Sequence, residues 1–341
     1  MLDQISDFLG DPNHMLEETD DGNVYVHPAR KNAGVVTLAL VREIIAPAIF
    51  RHEEEEIADI EHGGDTIVRA SPLKFKHGEK ARGLQLLRWF GVGGRYAHNR
   101  TGLPKNGKPS DAFDLNTLVF GDSLETGGVV MPVKAGVLYS DALSLRSKHE
   151  VVGESFHNRA GEEGVLFDPE SKKNSRNIFT QHFIRPGCLL AQVLTTTGRV
   201  LPPHAIDHLL LSIGLAGAAG GRTSVTGINI RTHLAGIFAG RYERPVASPY
   251  VLRGRLLQEL AAEDLDRPEA VCAAVETILS KEFAITLPAA VASAHRDALL
   301  AEFEADAAPL RQRYQTTAVS IAELLDRWFT NDPDRRKRES A

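Results

Sequence analysis

The sequence predicts an α+β protein, because a strand, helix, strand order occurs twice in succession and only helical segments follow. Three observations carry the prediction. Residues 35–50, 136–145 and 188–198 are apolar, β-branched runs of strand length; residues 77–90 and 202–214 repeat apolar side chains at helical spacing; and residues 250–330 read as helices separated by Pro268, Pro288 and Pro309.

In order, "VVTLALVREIIAPAIF" (35–50) reads as a strand that ends or bulges at Pro47, and Thr66 to Ala70 as a short second strand. "HGEKARGLQLLRWF" (77–90) puts Ala81, Leu84 and Leu87 on one stripe and Lys80, Arg82 and Arg88 off it, as an amphipathic helix does. Residues 91–113, rich in Gly, Asn, Pro and Lys, read as a mobile insertion. "GVLYSDALSL" (136–145) reads as one strand, and the polar stretch 146–177 as a second excursion from the core. "CLLAQVLTTTG" is then a strand, "PPHAIDHLLLSIG" a helix opened by prolines, and "TSVTGINIR" (223–231) the closing strand. This order is that of a ferredoxin-like or RNA-recognition-type core over residues 35–245, followed by a helical region at 250–330 and a disordered basic tail at 331–341.

At 341 residues with a net charge of -6, the composition is that of an ordinary soluble protein. No apolar run reaches the ~20 residues of a membrane span, and the acidic start "MLDQISDFLGDPNH" is unlike a secretion signal, so the expectation is a cytoplasmic protein with no membrane partner. Cys188 and Cys272 are the only cysteines, which excludes a zinc site built from several of them. His204 and His208 stand four apart on a predicted helix with Cys188 on the strand before it, but the fourth ligand of a zinc site is missing; neither metal nor cofactor is expected.

The charge is sorted along the chain. Residues 53–65 hold Glu53, Glu54, Glu55, Glu56, Asp59, Glu61 and Asp65 without a Lys or Arg; residues 69–108 are strongly basic against the single acid Glu79; and a second basic zone runs from Arg199 to Arg255. Two basic zones that converge would form a groove for phosphates. Within the second lies "GLAGAAGGRTSVTGINIR" (214–231), a bare backbone flanked by Arg222 and Arg231, where main-chain amides can approach a phosphate; the alternative is a tight turn of small residues. The helix precedes the glycines and no Gly-Lys-Ser/Thr closes them, so neither a dinucleotide fingerprint nor a P-loop is present.

Four stretches in this order, "ASPLKFKHGEKARGL", "LVFGDSLETGGVVMPVKAGVLYSDALSL", "NIFTQHFIRPGCLLAQVL" and the glycine-rich loop, resemble the repeat-associated RNA-binding proteins of CRISPR systems. The wording of "SRNIFTQHFIRPG" and "GINIRTHLAGIFAGR" is similar to the backbone subunit of the type I-D surveillance complex, Cascade. The resemblance covers roughly residues 35–245 and implies a modified RNA-recognition core with lid and thumb insertions. It also implies the partners: CRISPR RNA, target DNA through the guide, copies of the chain in a filament, and other Cascade subunits.

A protein that accepts any guide sequence should hold phosphate and sugar rather than base edges. With aromatic content at 6% and none in "TSVTGINIR", stacking of bases on the sheet is not expected. Lys74 and Lys76, read as lying in an extended loop before the first helix, would point the same way toward RNA; Arg82 is either a ligand or a solvated helix charge. Arg42 interrupts an apolar strand and must meet a carboxylate or a phosphate. Gly220, Gly221, Arg222 and Arg231 complete the core set, with Arg222 the foremost candidate. Phe156, His157, Asn158 and Arg159 sit where the resemblance places a thumb, able to wedge an aromatic ring between bases, and Arg176 and Asn177 follow. The alternative function is a metal-dependent nuclease acting on the guide-paired strand: related type III backbones cut with an aspartate ahead of the proline-lysine motif, where this chain offers Asp59 and Asp65 in a surplus of acids.

Overall fold

The structure, a computed structural model, describes residues 2–15, 33–52, 57–93, 107–126, 129–158, 167–168, 173–174 and 178–330. Strand β1 (Val35–Ile44) is buried on both faces, as its largely apolar run requires, and ends three residues before Pro47. The end of the acidic run is structured: Asp59–His62 (β2) and Asp65–Ala70 (β3) form a hairpin turned by Gly63 and Gly64, both with positive φ. Helix α1 spans Leu73–Phe90, starting four residues earlier than its periodicity indicates, because Pro72 already has helical angles and a proline at a helix start forfeits no internal bond. Lys74 and Lys76 therefore lie on the first turns of a helix, about 200° apart around its axis, and do not point the same way.

Helix α2 (Leu115–Phe120) is capped by Asp114, whose carboxylate accepts from the Thr117 amide at 3.0 Å. A ribbon of β4 (Asp122–Thr126) and β5 (Val129–Val133) follows. The single strand expected at 136–145 is two, β6 (Val137–Tyr139) and β7 (Ala142–Ser147), broken at Ser140-Asp141; the Ser140 amide and hydroxyl bond Val193 instead of continuing the ladder. After the short α3 (Lys148–Val151), the second excursion is built on a ribbon of β8 (Val152–Asn158) with β11 (Ile178–Ile184), and β9 (Phe167–Asp168) pairs with β10 (Lys173–Asn174). The core resumes with β12 (Leu189–Thr196) and α4 (Pro203–Leu215).

The closing strand is displaced from its expected place. Residues Thr223–Thr226 form a single helical turn, α5, Gly227 has φ 68°, and β13 runs from Ile230 to Gly240. The cause is Asn229, which is fully buried and bonds both backbone groups of Ala219 (2.9 and 3.0 Å) while its amide donates to Gly217 O, folding residues 217–229 back on themselves.

The remaining elements are α6 (Pro249–Glu259), α7 (Pro268–Ser280), β14 (Ile285–Leu287), α8 (Ala289–Glu304) and α9 (Ala308–Thr330). They pack into the clusters on the two faces of the main sheet together with the earlier segments. The main sheet runs β14-β13-β1-β12-β7-β3-β2, with β6 also paired to β12 and all pairings antiparallel. On one face Val36, Leu38 and Leu40 of β1 pack with α1, α4, α8 and α9, joined by Ile5, Leu9 and Met15 from the N-terminal segment. On the other, Val35, Ala39 and Val41 pack with Leu252 and Leu256 of α6 and Val271, Val275 and Leu279 of α7.

Arg42 takes the carboxylate of its two expected partners. Its Nη1 lies 2.7 Å from Glu79 Oε1 of α1, with both side chains at most 2% exposed. Further bonds go to Gln192 and Thr232, the guanidinium sits 4.6 Å from the centroid of the Phe75 ring, and Tyr139 donates to Glu79 at 2.5 Å. Burial, with the Glu79 carboxylate adding to it, pushes the Tyr139 hydroxyl well above its ordinary value, so Tyr139 stays a donor. Arg42 is thus a tie between α1 and the sheet, which corrects its reading as an RNA ligand. His208 is likewise interior: it bonds Tyr314 and Asn116 at 3.0 Å each, and burial pushes its imidazole down to about 3, so it is neutral and both ring nitrogens are engaged within the protein.

Asp207 ties α4 to α8 through His295, at 2.7 Å, with His204 3.8 Å away. Burial pushes its carboxyl up, but hydrogen bonds from His204 and His295 outweigh this and hold it below the usual carboxylate range. Asp207→Asn is expected to cost about 1–3 kcal/mol at neutral pH. A depressed carboxylate contributes stability above its unfolded value and loses it as pH falls through the folded one, so variant and wild type should converge on acidification. Thermal unfolding from about pH 7 to about pH 3 checks this; a gap unchanged at the acid end would contradict it.

Candidate nucleic-acid interface

The first turns of α1 meet the glycine loop. A side chain at Gly78 would come within 3.3 Å of Ala218 O, so helix and loop are in close contact there. Lys76 and Lys80 lie one turn apart on that helix; burial, then Lys80, pushes the Lys76 ammonium down. Lys80 is held by Gly121 O (2.6 Å) and is 3.7 Å from Asp122, whereas Lys76 has no acid partner among the described residues. Arg82 is exposed and bonds Gln85 of its own helix at 2.7 Å, the solvated arrangement.

The loop is less bare than its sequence suggests. The Gly221 amide donates to Ile49 O at 2.8 Å and the Ala219 amide to Asn229 Oδ1, so these two donors are engaged within the protein. Gly220 is required for packing: with φ 90°, a Cβ there would lie 2.5 Å from Ile49 O and 3.0 Å from the Phe50 ring. Gly221 has an ordinary φ and room, the nearest atoms to a Cβ being Arg51 Cδ and Ile49 O at 3.7 Å.

Arg222 is exposed and has φ 59°; with Asp306 it is one of two non-glycine residues with positive φ among those described. Its Nη1 donates to Gln181 Oε1 on β11. Gln181 pairs across the ribbon with Ser155, and the next position of β8 carries Phe156, 68% exposed, opposite Thr180. Arg222 thus joins the glycine loop to the ribbon; Phe156 lies on the other face of that ribbon from Gln181, and Lys76 is about 200° around α1 from the Gly78 side that meets the loop.

The other candidates fall elsewhere or beyond view. Arg231 is surface-exposed on β13 and pairs at 3.4 Å with Glu43, which also bonds His233 at 2.8 Å. The backbones of His157 and Asn158 pair with Phe179 and Ile178. Arg159, Arg176 and Asn177 lie outside the described residues, as do 94–106 of the first insertion and the tail 331–341. Asp59 and Asp65, proposed as metal ligands, are on the β2–β3 hairpin and engage Lys148 and Arg253 respectively. Among the described residues no three His, Cys, Asp or Glu side chains gather as a metal site. Sequence reasoning passed over Arg51 and Gln181: the first stands beside the run of glutamates and is masked by it, and the second is neutral.

The family described as Csc2 Crispr matches residues 28–309. Among solved structures, the crystal structure of Thermofilum pendens Csc2 aligns over 97% of this chain and 98% of its own, at 15% identity and a TM-score of 0.61, so the mixed helix-and-sheet fold is that of Csc2. A chain of a CRISPR RNA-guided surveillance complex, pre-nicking, aligns over 72% of this chain and 88% of its own at 11% identity and a TM-score of 0.45. A chain of another CRISPR RNA-guided surveillance complex aligns over 76% and 99% at 10% identity and a TM-score of 0.43. No curated protein matches the sequence.

Proposed function

The chain belongs to the Csc2 CRISPR family, and from that premise we propose that it is a CRISPR RNA-binding backbone subunit of a type I-D surveillance complex, polymerising along the guide and presenting it to foreign DNA. The carrying observation is the bond by which the loop arginine Arg222 meets Gln181 on the ribbon that also carries the exposed Phe156. The strand order β13-β1-β12-β7, with α1 and α4 on one face, supports a modified RNA-recognition core within residues 35–245, with 250–330 as its helical addition. In such modules the open sheet face stacks bases, but here α6 and α7 cover that face. Contact with sugar and phosphate at the loop and ribbon then suits a guide of any sequence, with Phe156 on the ribbon's other face as the thumb wedge.

The subunit acts by binding, not cleavage: both candidate metal-ligating aspartates are neutralised by cations of the chain. Its partners are the guide, DNA through the guide, copies of itself and other Cascade subunits. Among the described residues no helix is long and apolar enough to cross a membrane, in keeping with work in the cytoplasm.

Unrelated single-stranded RNAs titrated at two salt concentrations should bind with similar affinity, falling steeply as salt rises. Marked discrimination between sequences, or binding indifferent to salt, would overturn this reading.

A further inference from the structure

Arg222 occupies a backbone conformation that glycine adopts freely, with φ 59°, in a loop where both preceding residues are glycine. Arginine there is strained relative to glycine, so its side chain must contribute something the backbone does not need. Within the protein the guanidinium has one hydrogen-bond partner among the described residues, Gln181 Oε1. A guanidinium carries five N–H donors in a rigid fork, so one bond to Gln181 fixes its plane and leaves the other donors free. Gln181 is suited to this task by being neutral. A glutamate would orient the fork equally well but would cancel its charge.

Arg51 comes from a different segment, just after the Ile49 carbonyl that receives the Gly221 amide. Its stem passes Gly221 within van der Waals distance of where a side chain would stand, Cδ at 3.7 Å and Cγ at 4.0 Å. Arg51 is exposed and has no ion-pair or hydrogen-bond partner among the described residues. A second cation therefore passes the loop at Gly221, the residue next to Arg222 in the chain.

We propose that Arg51 and Arg222 form one seat for a backbone phosphate of single-stranded RNA, and that Gln181 is a positioning residue that aims Arg222 into it. This rests on the RNA-binding reading above and adds two residues to it. The seat also links the ribbon to the loop, because Gln181 moves with the β8–β11 pair.

The test uses the full chain and a labelled oligouridylate. Arg222→Gly should bind about tenfold more weakly, since a charge-assisted phosphate contact is lost, while its melting temperature stays level or rises as the strained residue is relieved. Arg51→Gln should weaken binding and make the salt dependence shallower by about 0.7 in log–log slope. Gln181→Ala should weaken binding by about fivefold in the wild-type background and have no further effect in Arg222→Gly, the non-additivity of a residue acting through another. A lower melting temperature for Arg222→Gly with RNA binding unchanged makes the arginine a mere latch between loop and ribbon, and overturns the proposal. Additive effects of Gln181→Ala and Arg222→Gly overturn the positioning role. Wild-type protein that binds no RNA at low salt instead sinks the functional reading itself, whereas variants that all bind as wild type sink only the seat.

Discussion

Arg42→Met is expected to destabilise the protein by about 3–5 kcal/mol, because Glu79 is left as an uncompensated charge in the core. The pair joins α1 to β1 from the interior, and desolvating it is already costly: Nη2 of Arg42 has no hydrogen-bond partner among the described residues. The loss should therefore reflect the stranded carboxylate more than the bonds removed. The triple replacement Arg42→Met, Glu79→Leu, Tyr139→Phe takes out charge, countercharge and the hydroxyl donating to it, and should recover most of the stability. Urea unfolding of the single and triple variants separates the two accounts. A triple variant as unstable as Arg42→Met would mean that the network is irreplaceable as packing and not merely as matched charge.

Gly220→Val should be nearly as damaging and Gly221→Val nearly harmless to stability, although the two are neighbours. At position 220 a valine meets a backbone carbonyl at 2.5 Å in a φ region closed to β-branched residues, a cost of about 2–4 kcal/mol. At position 221 the backbone is ordinary and the nearest contacts are at 3.7 Å, so the change should stay within about 1 kcal/mol. RNA affinity should fall in Gly221→Val all the same, because the new methyl groups crowd the Arg51 stem and the approach to Arg222. Melting curves with RNA titrations on both variants check the contrast. If Gly221→Val also unfolds the protein, its glycine serves packing alone.

Much of the chain could be read from periodicity. β1, β12, α4 and the helical character beyond residue 250 follow from apolar spacing, which burial imposes directly on sequence. What escaped depended on partners distant in sequence. Arg42 could be assigned to a carboxylate or a phosphate, and only the fold brings Glu79 to it. "TSVTGINIR" alternates like a strand, yet Asn229 finds Ala219 and bends the segment away. Lys74 and Lys76 looked extended because the apolar stripe that marks α1 begins after them. At the site, Arg222 stands out by its charge after bare glycines, whereas Arg51 and Gln181 acquire meaning only where the segment after β1, the loop and the ribbon come together.

The central place of β1 has a consequence for synthesis. Its ladder partners lie far downstream, with Thr37 opposite Thr195 and Arg42 opposite Thr232 on the other side, separations of 158 and 190 residues. At ordinary translation speeds the first of these partners leaves the ribosome about 8–30 s after β1 itself. Throughout that interval a ten-residue apolar strand with both edges open has nothing of its own sheet's centre to pair with. Hairpins and helices made meanwhile, such as β2–β3 and α1, must wait on a template that is itself unsupported. During those seconds the nascent β1 is exposed to mispairing and aggregation, a hazard that ends only when β12 and β13 have emerged to close both of its edges.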